Sequence, residues 1–225
     1  MDSTYSILGI NGSPRKANTD ILLEKALAAA VETGGIETRT VYLRKEDIRY
    51  CTGCFRCNTV NESVSGCPVH RDAMDRIVPL LLQADGIILA SPVYFGGVTA
   101  QLKCFMDRTE SLLRYTPHPR TAALRNKVGA AITVGGNRNG GQEAAIQGIH
   151  HFFLVHDMIV VGTGPDTQPG CYLGAAAFSG MDPEKGSQVR DAVLFDDTGL
   201  RAAEILGRRV AELVKTMTHS QNGGH

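Results

Sequence analysis

Residues 5–19, YSILGINGSPRKANT, determine the fold that we predict for this chain. The apolar run 5–10 has the length and composition of a short buried strand, and it stops at the turn pair Asn11-Gly12. A polar loop with two cations follows, and the apolar pattern of a helix then begins. The stretch therefore predicts a strand, a loop and a helix N-terminus in direct succession.

The junction between this strand and this helix predicts a phosphate-binding loop. Backbone N–H groups and the positive end of the helix dipole point at one spot there. Ser13 and Thr19 can add hydroxyl donors, and Arg15 can add a charge-assisted hydrogen bond. The alternative is an ordinary turn in which Asn18 or Thr19 caps the helix. The loop lacks the G-x-x-x-x-G-K-[ST] pattern, so we do not expect a nucleoside triphosphate.

Strand and helix patterns alternate five times along the chain. This alternation predicts an α/β fold, a flavodoxin-like doubly wound parallel sheet of five strands in the order 2-1-3-4-5. The predicted strands are 5–10, 37–43, 87–90, 127–134 and 158–161, and the predicted helices are 19–31, 72–83, 99–113, 143–156 and 199–217.

We predict one domain, residues 1–217, with two insertions. The first, 44–71, is rich in cysteine, and the second, 162–196, is rich in Gly, Pro and Asp and receives no role. The polar end, 218–225, predicts a flexible tail.

The composition is that of a globular protein without a polyanionic partner. Apolar residues make up 43% of the chain and the formal net charge is zero, so we expect neither nucleic acid nor a membrane surface as partner. The sequence shows neither a signal segment nor a membrane-length apolar run, so we expect a cytoplasmic protein.

Three loops follow strands at the edge where such sheets bind ligands: 11–19, 91–97 and 135–142. The second, SPVYFGG, places Tyr94 and Phe95 between Pro and Gly-Gly, which suits the face of a flat ring. The alternative is that these aromatic rings only cover the core.

The third loop, GGNRNGGQ, holds four glycines within seven residues and permits close approach of a ligand. It lacks the Rossmann dinucleotide spacing. A phosphate loop, an aromatic loop and a Gly-rich loop at one edge together indicate a mononucleotide, and flavin mononucleotide (FMN) fits best.

Four cysteines predict a metal centre in the first insertion. Cys51, Cys54, Cys57 and Cys67 form the pattern C-x2-C-x2-C-x9-C-P. Three cysteines in tandem are typical of an iron–sulfur cluster. A zinc site more often uses two separated C-x2-C pairs, and free or redox-active thiols are the third alternative.

The remaining reactive residues suggest no further site. Cys104 lies in a predicted helix, and we expect it to be a small buried apolar residue. We assign no role to Cys171. Asp107 and Arg108 predict a local ion pair of little consequence. The histidines show no spacing typical of a metal site.

Several motifs together resemble those of the iron–sulfur flavoproteins, a branch of the flavodoxin-like NADPH-dependent FMN reductase group. The resemblance extends over residues 7–213. The motifs are GSPRKANT, CTGCFRC…CP, SPVYFGGVTAQLKCFMDRT, GGNRNGGQE and GLRAAEILGRRVAE.

The resemblance implies FMN and, on the four cysteines, one [4Fe–4S] cluster per subunit. It also implies dimers or tetramers in which a cluster lies close to a flavin, commonly that of a neighbouring subunit. The nine-residue gap before Cys67 is longer than is usual in this family. By motif, the phosphate would be held by Ser13, Arg15, Asn18 and Thr19, and the isoalloxazine would be framed by Pro92, Val93, Tyr94, Phe95, Gly96, Gly135, Gly136 and Arg138.

The function that these features predict is electron transfer between FMN and the cluster, linking a two-electron partner such as NAD(P)H to a one-electron carrier such as ferredoxin. This would make the protein an FMN-dependent oxidoreductase, and we assign no catalytic acid or base. One alternative is a cluster-free NAD(P)H-dependent FMN or quinone reductase. The other is a flavodoxin-like carrier without its own substrate, which the neutral net charge disfavours.

Overall fold

The computed structural model describes residues 4–58, 66–114, 121–167, 171–182, 184 and 187–222. Parts of the predicted insertions and tail lie outside the described residues, namely 59–65, 168–170, 183, 185–186 and 223–225.

Within the described residues, six parallel strands form the central sheet. Five follow the order 2-1-3-4-5, which confirms the predicted flavodoxin-like topology, and the sixth also pairs with the fourth. The third and fourth strands are buried along their whole length, because helices cover both faces of the sheet. The strands are β1 Tyr5–Asn11, β2 Ile36–Tyr42, β3 Gly86–Pro92, β4 Val128–Gly135, β5 Ile159–Val161 and β6 Ala175–Phe178.

One edge position of the sheet is shared by β5 and β6. The first half of β4 pairs with β5, from Val128 opposite Ile159, and its second half pairs with β6, from Ile132 opposite Ala175. The segment predicted as a second insertion, 162–196, therefore contains a strand of the sheet. The sequence did not predict this strand because it is four residues long and three of them are alanine, which has low strand propensity.

Five helices cover the sheet in the described part of the chain. Residues of α1 and α5 pack on one face, and residues of α2, α3 and α4 pack on the other. The last helix includes residues 218–222, which belong to the segment predicted as a flexible tail. None of the described helices is both long and apolar enough to cross a membrane. The helices are α1 Asn18–Glu32, α2 Met74–Gln83, α3 Ala100–Arg108, α4 Gln142–Val155 and α5 Asp197–Asn222.

Helix α3 is shorter than the predicted 99–113. Thr99 is its N-cap, and the hydroxyl of Thr99 accepts a hydrogen bond from Leu102 N at 3.3 Å. Thr109 Oγ1 donates to Met106 O at 2.7 Å in the last turn, and the chain continues as a 3₁₀ turn. The side chain of Thr109 thus helps to end the helix by satisfying a terminal carbonyl group.

Candidate functional site

The three predicted ligand loops meet at the carboxyl edge of the sheet. Gly12 N donates to Ala90 O at 2.7 Å, which joins the first loop to β3. The other two loops touch each other, since a Cβ atom on Gly141 would lie 2.8 Å from Gly96 Cα. Gly141 also has a φ of 97°, so glycine is required there for both space and backbone conformation.

A buried ion pair supports the first loop. Asn11 Oδ1 accepts from Ser13 N at 2.8 Å, and Asn11 Nδ2 donates to Asp20 Oδ1 at 2.9 Å. The Arg44 guanidinium donates two bonds to the Asp20 carboxylate, at 3.0 and 2.7 Å. Asp20 is 4% exposed, so this paired charge is held in place beneath the loop.

The start of α1 is free of a side-chain cap. Its N-cap residue is Ala17, which makes no side-chain hydrogen bond to the helix. The alternative that Asn18 or Thr19 caps the helix is therefore wrong, and Thr19 is buried in the first turn. Ser13 Oγ donates to Arg15 O at 2.8 Å, so its proton is used within the loop itself.

Asn18 holds the second insertion against α1. Its Nδ2 donates to Val189 O at 3.0 Å, and its Oδ1 accepts from Val193 N at 2.9 Å. The resemblance assigns Asn18 to the phosphate. In the structure both polar atoms of its amide bind the backbone of the insertion.

A cationic cavity of about 280 Å³ lies between the first loop and this insertion. Three cations, Arg15, Lys16 and Arg190, contribute to its wall, which suits an anionic group such as phosphate. Sequence reasoning missed Arg190, because a single cation in a Gly- and Asp-rich segment carries no local signal. The other lining residues are Ala17, Asn18 and Val189.

The aromatic loop forms a tight turn. Tyr94 N donates to Gly97 O at 2.9 Å, and Gly97 N donates to Tyr94 O at 3.0 Å. Phe95 adopts a φ of 50° and is fully exposed, and Tyr94 is 40% exposed. The alternative that these rings only cover the core is therefore wrong. The predicted ring-binding residues lie at the end of β3 and in this turn: Pro92, Val93, Tyr94, Phe95 and Gly96.

The Gly-rich loop is shaped by Gln142. Gln142 Oε1 accepts from Gly140 N at 2.8 Å. A Cβ atom on Gly135 would lie 2.6 Å from Gln142 Cδ, so a larger residue would displace this side chain. Gly136 is half-buried and Arg138 is exposed, which leaves the Arg138 guanidinium accessible at the ligand edge.

The four predicted cluster ligands share one cavity of about 640 Å³. Residues of α3 and α4 complete its wall, among them Met106 and Phe152. All four cysteines have free thiols: Cys51, Cys54, Cys57 and Cys67.

The thiols of this cavity differ in environment. Burial raises the pKa of Cys57, and the charges of Glu110, Cys67 and Cys51 raise it further. Hydrogen bonds from Arg56 N and from the Thr52 side chain lower the pKa of Cys54, which is exposed.

The donor set fits a Cys₄ centre in its chemistry, because four cysteine thiolates are the ligands of cubane clusters and of many zinc sites. Among the described residues, however, no three His, Cys, Asp or Glu side chains converge as ligands of one metal ion. The structure thus brings the thiols into one cavity without arranging them around a single point.

The predicted Asp107–Arg108 ion pair is wrong. Asp107 pairs with Lys103, four residues earlier on the exposed side of α3. Arg108 points into the protein and pairs with Asp72. Consecutive residues of a helix do not face each other, so each side chain finds a partner elsewhere. Cys104 is half-buried, and its Sγ lies 3.5 Å from Ile48 O.

A sheet of order 2-1-3-4-5 with three ligand loops at its carboxyl edge defines a flavodoxin-like protein. Residues 5–165 match the family model described as NADPH-dependent FMN reductase. Over 210 residues the chain is 45% identical to an iron–sulfur flavoprotein of Methanocaldococcus jannaschii, covering 93% of this chain and 97% of that protein. It is also 45% identical over 159 residues to an iron–sulfur flavoprotein of Methanosarcina thermophila, covering 69% of this chain and 76% of that protein.

Solved structures agree on the fold. RosB with a bound formylated flavin phosphate intermediate has a TM-score of 0.68 at 16% identity, covering 96% of this chain and 81% of that chain. A flavodoxin, WrbA-like protein from Agrobacterium tumefaciens has a TM-score of 0.54 at 17% identity, covering 95% and 99%. The chain is a redox flavoprotein of the FMN type. It belongs to the NADPH-dependent FMN reductase family and, within it, to the iron–sulfur flavoproteins.

Proposed function

We propose that this protein passes electrons between FMN, bound at the carboxyl edge of the sheet, and a [4Fe–4S] cluster. The ligands of the cluster would be Cys51, Cys54, Cys57 and Cys67. The observation that carries the proposal is that all four thiols of this chain's cysteine-rich insertion line one cavity. Four thiolates are the ligand set that a cubane cluster requires.

A third cavity borders both the cysteine cavity and a residue bonded to the first ligand loop, which supports electron transfer between the two cofactors. It has a volume of about 660 Å³ and shares Thr52 and His70 with the cysteine cavity. It also reaches Gln101, whose Nε2 donates to Gly12 O at 2.8 Å in the first ligand loop. This cavity therefore contacts both the cysteine-rich insertion and a side chain that is bonded to the first ligand loop.

The residues of this chain would bind and orient the cofactors. Arg15, Lys16 and Arg190 would neutralise the FMN phosphate, while Tyr94 and Phe95 would contact the ring. FMN supplies two-electron chemistry and a cluster supplies one-electron chemistry. The protein would accordingly link a two-electron partner such as NAD(P)H to a one-electron carrier of the ferredoxin type. We assign no side chain as general acid or base, since hydride transfer to a flavin needs none.

The proposal includes a homodimer or homotetramer. Four phenylalanines of the described residues are exposed, with Phe178 at the carboxyl end of β6: Phe55, Phe95, Phe178 and Phe195. A second copy of the chain would remove such apolar surface from water. Sedimentation velocity of the FMN-bound protein measures the assembly, and a single monomer peak would contradict it.

The deciding experiment is a cofactor count on protein purified without oxygen. We expect about four irons, four labile sulfides and one FMN per chain, the content of a cubane flavoprotein. FMN with zinc or without metal would contradict the cluster.

A cluster-free NAD(P)H-dependent FMN or quinone reductase is the second candidate. It is favoured by the absence of converged metal ligands among the described residues. This reductase would turn over NAD(P)H with a quinone in the absence of iron. A flavodoxin-like carrier, the third candidate, would show no steady turnover with any small acceptor.

A further inference from the structure

The cysteine loop, defined here as residues 50–71, leaves and rejoins the fold at neighbouring points. Arg49 N donates to Asp72 Oδ2 at 3.1 Å, and Ala73 N donates to Asp47 O at 3.1 Å. The residues that flank the loop are therefore bonded to each other.

Arg108, the last residue of α3, binds both ends of this loop. Its Nη1 donates to Arg49 O at 2.7 Å and also to Asp72 Oδ2. Its Nη2 donates to Asp72 Oδ1 at 3.2 Å. One planar guanidinium thus bonds the residue before the loop and the residue after it. A lysine ammonium cannot reproduce this arrangement, because it lacks the rigid fork of donors.

The pair is buried and charged. The side chains of Arg108 and Asp72 are 1% and 3% exposed. Burial alone would raise the pKa of Asp72, but hydrogen bonds from Arg108, Arg49 N and Met74 N outweigh it and hold that pKa below its ordinary value. The carboxylate therefore stays ionised and keeps its bonds at neutral pH.

A buried ion pair does not by itself stabilise a fold more than well-packed apolar residues of similar volume would. A contribution to stability is therefore not enough to explain this pair. The location of the pair suggests a more specific role. The residues adjacent to Arg108 in sequence, Asp107 and Thr109, line the cavity that holds the four thiols. The same end of α3 therefore forms part of the cavity wall and fastens both ends of the loop that carries the thiols. Fastening the ends of a loop reduces the number of conformations that it samples.

We propose that Arg108 and Asp72 are positioning residues that close the base of the cysteine loop and set the arrangement of its thiols. This inference deepens the proposed function, since it concerns the thiols that would bind the cluster. It does not depend on the identity of the electron donor or acceptor.

The test compares Arg108→Lys with Arg125→Lys. Both variants keep their charge, and Arg125 forms an exposed ion pair with Asp157 at 3.0 Å, away from the loop. Hydrogen exchange is measured first on protein without a cluster. We expect the amides of Arg49 and Met74 to exchange about tenfold faster in Arg108→Lys, with β3 unchanged. Arg125→Lys should match the wild type at these amides.

The second measurement uses the iron-loaded protein. In Arg108→Lys we expect iron to pass to a chelator about tenfold faster and the EPR spectrum of the reduced cluster to change, with FMN affinity within about twofold of the wild type. Asp72→Asn weakens the Arg108–Asp72 contact from the other side, because it leaves one acceptor oxygen in place of two and keeps the bond from Arg108 to Arg49 O, and it should shift iron release and the EPR spectrum in the same direction. It serves as the second variant if Arg108→Lys does not fold.

Three outcomes separate the possibilities. Unchanged exchange at Arg49 together with unchanged iron release would overturn the proposal. Faster exchange throughout the sheet would overturn it too, because the pair would then support the fold as a whole. A wild-type protein without iron would contradict the proposed function, and exchange at Arg49 and Met74 would still decide whether the pair closes the loop.

Discussion

Val193 N donates a hydrogen bond to Asn18 Oδ1 at 2.9 Å, although 175 residues separate the two in the chain. The side-chain amide of Asn18 also donates from Nδ2 to Val189 O at 3.0 Å. Asn18 thereby makes the second insertion one wall of the cationic cavity and brings Arg190 to it.

Replacing Asn18 should weaken both the fold and the binding of FMN. Asn18→Ala leaves Val193 N and Val189 O without this partner, so we expect the free energy of unfolding to fall by about 1–3 kcal/mol. FMN affinity should fall as well, because the wall that carries Arg190 is no longer held. Urea denaturation and quenching of flavin fluorescence measure the two effects. Asn18→Asp keeps the acceptor for Val193 N but places a carboxylate oxygen against Val189 O, so it should lose stability as well. Wild-type values for Asn18→Ala in both measurements would contradict this role.

Removing Arg15 should weaken FMN binding through the phosphate. Arg15→Ala should cost about 1.5–3 kcal/mol, the scale of a hydrogen bond to a charged group. Riboflavin lacks the phosphate, so its affinity should not change. Arg39→Ala removes an exposed cation in the middle of β2, away from the ligand loops, and serves as the control. Equal losses for FMN and riboflavin would show that Arg15 acts on the fold of the loop rather than on the phosphate.

Replacing one cysteine should remove the cluster and leave FMN bound. We expect Cys54→Ala to lose the visible absorption of a cluster and to retain FMN, because the thiol cavity and the cationic cavity have no lining residue in common. Absorption spectra and iron analysis measure this. Cys171→Ala, in the second insertion, should retain both cofactors. Simultaneous loss of FMN and cluster in Cys54→Ala would instead mean that the cysteine loop supports the whole domain.

His156 should make the fold sensitive to acid. Thr109 Oγ1 donates its proton to Met106 O, so it accepts from His156 Nε2 at 2.8 Å, and Nε2 carries a proton. Burial lowers the pKa of His156 from 6.5 to about 4. Between these values the unfolded chain binds the proton and the folded chain does not. Stability therefore decreases as pH falls through this range and levels off below the folded pKa.

Between pH 7 and 4.5 the loss from this single group should be about 2 kcal/mol. Urea unfolding of the cluster-free protein at the two pH values measures it, and His156→Gln should reduce the dependence by that amount. The same pH dependence in the variant and the wild type would assign the effect to other groups.

Sequence alone determined the order of the sheet and the loops that meet at its ligand edge. Apolar periodicity and the Gly and Pro residues between elements are local properties, and parallel strands joined by helices place their following loops at one edge. The grouping of four cysteines is also local, because the first three lie within seven consecutive residues, 51–57, and the fourth is ten residues further on.

The side chains that support these loops are apparent only in the folded chain. The bonds from Asn18 to Val193, from Arg44 to Asp20 and from Arg108 to Asp72 each join separate segments of the chain. Strand β6 completes an edge position that β5 leaves open. None of these contacts has a periodic or compositional signature, because a hydrogen bond between distant residues depends on how the packed helices and strands bring two side chains to within about 3 Å of each other.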